Sequence, residues 1–562
     1  MNDKASTLVL ERIYQHEQSH PHKVFLTQPV GHGQVIDYTW GQTLDQSRRM
    51  AAHLKSLGLP HGAKVAILSK NCAHFFMAEL AIWMAGFTTV AIFPTESADT
   101  VKFVLEHSES SLLFVGKLDE WHKQAPGVPE HLPRIAFPLA PPTPYEGWDD
   151  IVARTEPLQG QAWREPTDLA MIIYTSGSTG QPKGAMHSFE RMSEAAQGII
   201  NGMVDTMGAN REDHRILSYL PLAHVFERAF VETMTFMEGH IHVFFAESLD
   251  TFLQDLQRAR PTIFISVPRL WLKFQHGVFA KMPAKKLNVL LSIPILGGVV
   301  ARKILVGLGL DKVELAGSGS APLPPELIRW YRRLGLNLVE GYAMTEDFAY
   351  SHTQTAQFNE PGYVGTPYAG VQVRISEEGE ILIKSPGQML GYYKRPDLDQ
   401  QSFTDDGYFK TGDLGSRRPD GQLKITGRLK EQFKTSKGKY VAPAPIENRL
   451  NANPLIELSM VSGSGFDKAY ALVVLAEEWR PKLSQAAVRN DIQAQLTELL
   501  AHVNAHSADY EQLKMLVVAS EPWTIENGCL TPTMKIKRSR IEFLVQHQLE
   551  GWYSQSQSIL WH

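Results

Sequence analysis

Cysteine is nearly absent: Cys72 and Cys529 are the only two in 562 residues, and they lie far apart in the chain. That excludes a disulfide framework and a cysteine-built metal cluster, and it suits a reducing cytoplasm. A strong excess of one charge is also missing. The net charge is −5, and no dense basic stripe interleaves with aromatic residues, so the electrostatic footprint of a nucleic-acid partner is lacking. Neither internal repeats nor low-complexity tracts occur. The opening MNDKASTLVLERIYQHEQSH has one short apolar stretch before charge returns, so neither a signal peptide nor a membrane anchor is expected there. Long apolar runs are interrupted. The run 75–93 carries Glu79 and Gly86 and reads as a helix followed by a strand. The stretch 289–310 is broken by Pro294, Gly297, Gly298, Arg302 and Lys303, and it follows Lys281, Lys285 and Lys286. A core or surface helix is expected there, with docking on a bilayer surface as the alternative.

The chain is too long for a single hydrophobic core, and 43% hydrophobic with 20% charged residues is ordinary for a folded protein, so two or more domains are expected. Strand and helix signals alternate through the first three quarters: TIFISV at 262–267, VELAGSG from 313, a helix opened by Pro324 and Pro325, then LNLVEGY. This predicts α/β layering. After Arg428 the pattern changes to a compact unit in which LVVL at 472–475 and MLVV at 515–518 flank a helix over 492–503. A small α+β domain is expected.

Among these signals the segment YTSGSTGQPKG, Tyr174 to Gly184, is the most telling. The apolar 169–173 before it suits a buried strand, and Phe189, Met192, Ala196, Ile199 and Met203 behind it recur at helical spacing. The segment is therefore expected to join strand to helix. Gly177, Gly180 and Gly184 allow backbone N–H groups to approach an anion, while Thr175, Ser176, Ser178 and Thr179 add hydroxyl donors and Lys183 adds charge. That is chemistry for holding phosphate. Gln181 and Pro182 separate Gly180 from Lys183, so this is not a Walker A loop.

TSGSTGQPKG resembles the phosphate loop of the acyl-adenylate-forming superfamily. Further motifs follow in that superfamily's order: LPLAH at 220–224, GSGSAPL at 317–323, GYAMTE at 341–346, YFKTGDLG at 408–415, GRLKEQFKTSKGKYVAP at 427–443 and LTPTMKIKR at 530–538. The resemblance implies a large N-terminal layered α/β domain over 1–428 and a small mobile C-terminal α+β lid over 429–562, hinged at Lys430. It implies that the loop from Thr175 to Lys183 holds the β and γ phosphates of ATP, with Thr345 at the α phosphate and Glu346 as the Mg²⁺ carboxylate. Tyr342 is expected along adenine, Asp413 on the ribose hydroxyls and Arg428 on ribose or phosphate. Gly317, Ser318, Gly319 and Ala321 resemble the segment between nucleotide and acyl chain. There Ser320 replaces the alanine or glycine common in the family. Lys535 matches the lid lysine that reaches the reacting carboxylate, although Met534 stands where many relatives have glycine and Lys537 lies close by. The face around Gly438 would meet CoA after the lid rotates, and Cys529 is read as structural.

Within the superfamily, SYLPLAHVFER at 218–228, FKTSKGKYVAPAPIE at 433–447 and WTIENGCLTPTMKIKR at 523–538 look most like long-chain fatty acyl-CoA synthetases. His224 sits where that branch faces the acyl and nucleotide pockets. The implied activity is ATP-dependent ligation of a long-chain fatty acid to CoA through an acyl-adenylate. The implied setting is cytoplasmic, with transient contact at the cytoplasmic membrane face and an oligomer open. Alternatives are an adenylate-forming enzyme with another carboxylate or acceptor, or a silent acyl-AMP or fatty acid binder.

Overall fold

The computed structural model describes residues 7–176, 181–207, 214–531 and 534–562. Two mostly parallel sheets form the large N-terminal α/β domain. In one, Leu338–Tyr342, Leu315–Ser318, Ile263–Ser266, His214–Ser218, Ile241–Phe245 and Val24–Gly31 lie side by side in parallel. In the other, Ser110–Val115, Lys64–Leu68, Thr88–Ile92 and Leu169–Ser176 do the same. Parallel strands need both faces covered, which is why they read as continuous apolar runs.

One apolar cluster takes Phe25, Ile216 and Phe245 from the first sheet and Val65, Phe114 and Ile173 from the second. The helix Ala73–Met84 fills the space between them and is buried along its whole length. A helix apolar all round has no outer face to give to water, so this span is core, as its sequence predicts. Its one charge, Glu79, pairs with Arg228 in the interior.

The phosphate-type segment departs from expectation. It joins two strands and not a strand to a helix: Pro182–Ser188 runs antiparallel to Leu169–Ser176, with Thr175 opposite Lys183, and the helix Phe189–Met207 begins only afterwards. Gly184 permits this return. A Cβ there would lie 2.6 Å from Ile172 Cγ2, so a side chain at this position would push the hairpin apart.

A third, antiparallel sheet, Gln372–Ile375, Glu380–Lys384, Phe409–Arg417 and Leu423–Arg428, carries Asp413 and Arg428 as direct cross-strand partners. The smaller C-terminal domain is α+β. Its strands Ile456–Ser462, Ala469–Leu475, Leu513–Val518 and Ile559–Trp561 form one sheet with helices on both faces. Alternation of period two divides the side chains. Val473, Leu516 and Val518 pack with the helices Pro443–Asn451 and Ala486–Ala505, while Leu472, Val474, Met515 and Val517 pack with Arg538–Val545 and Leu549–Ser554. Cys529 is buried in the second of these clusters, away from other thiols.

Candidate active site

A cavity of about 2300 Å³ opens between the sheets of the large domain and the small domain. Its wall includes Thr175, Lys183, His224, Gly317, Ser318, Gly319, Ala321, Tyr342, Thr345, Glu346, Asp413, Arg428, Lys430 and Lys535. Candidates spread over more than 350 residues of sequence thus converge on one space. Gly438 does not join them. It occupies a turn between Phe433–Lys434 and Tyr440–Val441 with φ +77° and is absent from the cavity wall. Gly177, Ser178, Thr179, Gly180 and the side chain of Ser176 lie outside the described residues.

At one end of the cavity Lys183 Nζ lies 3.2 Å from Glu346 Oε1. Tyr392 completes the group: its hydroxyl donates to the same carboxylate oxygen at 2.6 Å and also meets Lys183, whose ammonium stands 4.1 Å from the ring centroid. Burial would raise the Glu346 pKa, but Lys183 and the Tyr392 hydroxyl outweigh it and hold the carboxyl below its ordinary value. Nothing in the sequence singled out Tyr392. The turn carrying Glu346 is fixed locally, because Met344 N donates to Asp347 Oδ1 at 3.0 Å, and Phe348 and Ala349 that follow both have positive φ.

Also on the cavity wall, the Tyr342 hydroxyl donates to Asp413 Oδ2 at 2.7 Å, and Arg428 Nε lies 2.9 Å from Asp413 Oδ1. Desolvation raises the Asp413 pKa above its usual value against the pull of Arg428. A carboxylate with both oxygens facing donors can accept two hydroxyls bidentately once a ligand displaces one of them.

Lys535 enters from the small domain. It follows a turn in which Met534 N donates to Thr531 O at 2.8 Å and Lys535 N to Thr531 Oγ1 at 3.1 Å. Its exposed surface opens on the cavity. Enclosure by protein and the nearby Arg428 lower its pKa from 10.5 to about 8, while Asp413 and Glu431 act the other way. Met534 has φ +62° and Ser320 φ +69°. Both residues are thus left-handed, a conformation in which glycine is least strained.

His224 caps the short helix Val225–Glu227 by accepting Phe226 N on Nδ1 at 3.2 Å. That bond fixes the tautomer and leaves Nε2–H as the donor. Burial, with Lys535 adding repulsion, lowers its pKa to about 3, so the ring is neutral at physiological pH.

Two hydroxyls on the cavity wall, Thr175 Oγ1 and Ser318 Oγ, are buried without a hydrogen-bond partner. Orphaned polar atoms facing a cavity call for a polar ligand. Beside them the wall turns apolar, with Phe226, Phe230, Ile263, Ile265, Leu315 and Val339. Small backbone keeps this region open. A Cβ on Gly319 would stand 3.3 Å from Phe226 Cζ, and one on Gly317 3.2 Å from Ile265 Cγ2. The Ala321 to Leu323 segment is held from behind by Glu340, which accepts Leu323 N at 2.8 Å.

The arrangement can bind an anion at Lys183, hydroxyls at Asp413 and an apolar chain beside Gly319, with a second cation, Lys535, near Asp413. A group of three or more metal-ligating side chains is lacking among the described residues. Glu346 alone suits a hard cation that arrives with phosphate oxygens and keeps its waters.

Comparison with known proteins agrees with this layout. Residues 13–393 match the AMP-binding enzyme family and residues 430–557 the AMP-binding enzyme C-terminal domain. The long-chain-fatty-acid–CoA ligase FadD15 of Mycobacterium bovis is 30% identical over 601 aligned residues, covering 97% of this chain and 97% of the relative. Long chain acyl-CoA synthetase 5 of Arabidopsis thaliana is 28% identical, covering 94% and 88%. Among solved structures, the A domain of carboxylic acid reductase from Segniliparus rugosus, in complex with AMP and a co-purified carboxylic acid, superposes with a TM-score of 0.81. It is 21% identical and the match covers 98% of this chain and 95% of that one.

Proposed function

The chain belongs to the AMP-binding enzymes, the acyl-adenylate-forming superfamily, and on that premise we propose that it ligates a long-chain fatty acid to CoA. The observation that carries this reading is the convergence of Lys183, Glu346, Asp413, Arg428 and Lys535 on one cavity that is also lined by apolar side chains beside Gly317 and Gly319. Full-length similarity to long-chain acyl-CoA synthetases supports the choice of acid.

In the first half-reaction a carboxylate oxygen attacks the α phosphorus, forming the acyl–oxygen–phosphorus link as the bond to pyrophosphate breaks. Negative charge gathers on the α-phosphate oxygens. Lys535 and the Thr345 hydroxyl stand to receive it, while Lys183 and the loop from Thr175 hold the β and γ phosphates. Asp413 accepts the ribose hydroxyls, Arg428 reaches ribose or phosphate, and the Tyr342 ring lies along adenine. Neutral His224 offers Nε2–H at the boundary with the acyl chain, where Gly317, Ser318, Gly319 and Ala321 let it pass. Glu346 would hold Mg²⁺, which when bound neutralises phosphate charge.

In the second half-reaction the CoA sulfur attacks the acyl carbon, its proton departs to solvent and AMP leaves. No protein nucleophile is required. We assign the large domain to 1–428 and the lid to 429–562. Rotation about Lys430 would withdraw Lys535 and bring the turn at Gly438 toward CoA, separating the two chemistries and shielding the adenylate from water. The position of Gly438 outside the cavity supports this division of labour.

A second reading, another carboxylate or another acceptor, is favoured by one observation: the fold is shared over almost the whole chain with an adenylation domain of a carboxylic acid reductase. A silent binder fits less well with Lys183, Glu346, Asp413, Arg428 and Lys535 all lining the cavity. AMP formation with ATP, Mg²⁺ and CoA, across acids from acetate to icosanoate, tests these readings. The long-chain ligase requires a maximum at long chains and AMP that rises only with CoA. Turnover best with aromatic or short acids, or undiminished without CoA, would overturn it.

A further inference from the structure

The helices Ala284–Ser292 and Leu296–Gly307 form a hairpin that packs on the large domain through Leu287 and Ala301. Its outer side is apolar. Val289, Ile293, Ile295, Leu296, Val299 and Val306 are all exposed large hydrophobic residues, Ile295 at 89% of its surface. Scattered exposed leucines need no explanation, but six within eighteen residues of one hairpin form a patch of the kind that marks an interaction site.

The tip of the hairpin is strained outward. Ile295 has φ +66° and ψ −55°, and Leu296 N donates to Pro294 O at 2.7 Å, which is a γ-turn with a β-branched residue at its centre. Such a conformation is disfavoured and persists where the surroundings impose it. Here they do. Gly297 packs so closely that a Cβ would lie 2.5 Å from Leu291 O, which forces the two helices together and leaves Ile295 pointing away from the body. Arg333 clamps the base by donating to Asn288 O at 2.8 Å.

Charge surrounds the patch. Between 281 and 310 there are five basic residues, Lys281, Lys285, Lys286, Arg302 and Lys303, and no acidic one. All five are exposed. The nearby Asp311 is already paired with Arg260. No helix among the described residues is long and apolar enough to cross a membrane.

We propose that this hairpin docks the protein on an anionic bilayer, with Ile295 and its neighbours seated among the acyl boundaries and the lysines on headgroup phosphates. A second copy of this chain suits the face poorly, because a two-fold contact would set the same basic residues against each other. The preceding helix Pro268–Lys281 leads inward, where Trp271 Nε1 donates to Gly317 O at 3.4 Å on the cavity wall. Docking would thus occur one helix from the acyl site. Its use, delivery of an acid dissolved in the membrane, rests on the long-chain reading, but the docking itself does not.

Flotation of the full chain with vesicles tests this without substrate or turnover. The wild type should float with phosphatidylcholine vesicles containing about 30% phosphatidylglycerol, weakly with pure phosphatidylcholine, and less at about 0.5 M NaCl. Ile295→Ser with Val299→Ser should cut partitioning at least about tenfold, and Lys285→Glu with Lys286→Glu by more, since each lysine near an anionic surface is worth roughly fivefold. Melting temperatures of both variants should stay near the wild-type value, which separates lost docking from lost folding. Absence of flotation with anionic vesicles, or flotation unchanged in folded variants, would overturn the proposal. Light scattering that shows a dimer lost in the apolar variant, with no flotation by the wild type, would assign the face to self-association instead.

Discussion

Lys183 Nζ and Glu346 Oε1 stand 3.2 Å apart although 163 positions separate them in the chain, and Tyr392 bridges them. Lys183 therefore begins with a carboxylate partner, and an incoming anion must compete for it. The Tyr392 hydroxyl relieves Glu346 of part of its need for Lys183. Tyr392→Phe removes a hydrogen bond to an ionised group, typically worth about 1.5–3 kcal/mol. We expect adenylation kcat/KM for ATP to fall roughly 10- to 100-fold, read by pyrophosphate release. A variant equal to the wild type would reduce Tyr392 to packing.

Asp413 accepts from Tyr342 and pairs with Arg428 across adjacent strands. Asp413→Asn replaces an acceptor-only group with one that is half donor. The KM for ATP should rise about tenfold or more, on the scale of one charge-assisted hydrogen bond. Preference for ATP over 2′-deoxy-ATP should shrink in the variant. Unchanged discrimination would move the ribose elsewhere in the cavity.

The lowered pKa of Lys535, about 8, gives adenylation a pH signature. The lysine is charged below that value and neutral above it, so kcat/KM for adenylation should fall as pH rises through about 8. Transfer from supplied acyl-AMP to CoA should instead increase over the same range, because the thiolate is the nucleophile and an ordinary thiol ionises near pH 8.5. Parallel pH profiles for the two half-reactions would contradict the separation of roles.

Met534 precedes Lys535 in a left-handed conformation. Met534→Gly should keep adenylation within about threefold of the wild type, since glycine adopts this backbone freely. Met534→Val places a β-branched side chain where it is disfavoured by roughly 1–2 kcal/mol. That variant should adenylate about tenfold more slowly and transfer normally. Rate measurements on each half-reaction check both, and a valine variant with unimpaired adenylation would show that the turn does not position Lys535.

Much of this site was readable before the fold, because its chemistry sits in contiguous motifs. Lys183, Glu346, Asp413, Arg428 and Lys535 each sit in a short recognisable segment, and all five line the cavity. The apolar runs at 169–173 and 472–475 became strands as their patterns require. What the sequence hid is pairing. The hairpin that returns Lys183 beside Thr175 depends on Gly184 meeting Ile172 across two strands, which no local period announces. Tyr392 was invisible for the same reason: one tyrosine of an adjacent pair gains its role only from a carboxylate far away in sequence. The span 289–306 forms surface helices, as its sequence allows, but which of its apolar residues face outward is decided by tertiary packing that no local period announces.

The central claim is that Lys535 serves the formation of an acyl-adenylate and not the transfer that follows. The measurement is long-chain-acid-dependent exchange of labelled pyrophosphate into ATP without CoA, beside thioester formation from supplied acyl-AMP, in the wild type and in Lys535→Ala. The account predicts exchange that requires the acid, a loss of roughly 10²- to 10³-fold in the variant, the scale for one transition-state donor, and thioester formation near the wild-type rate. Equal loss in both half-reactions, or no acid-dependent exchange in the wild type, would contradict it.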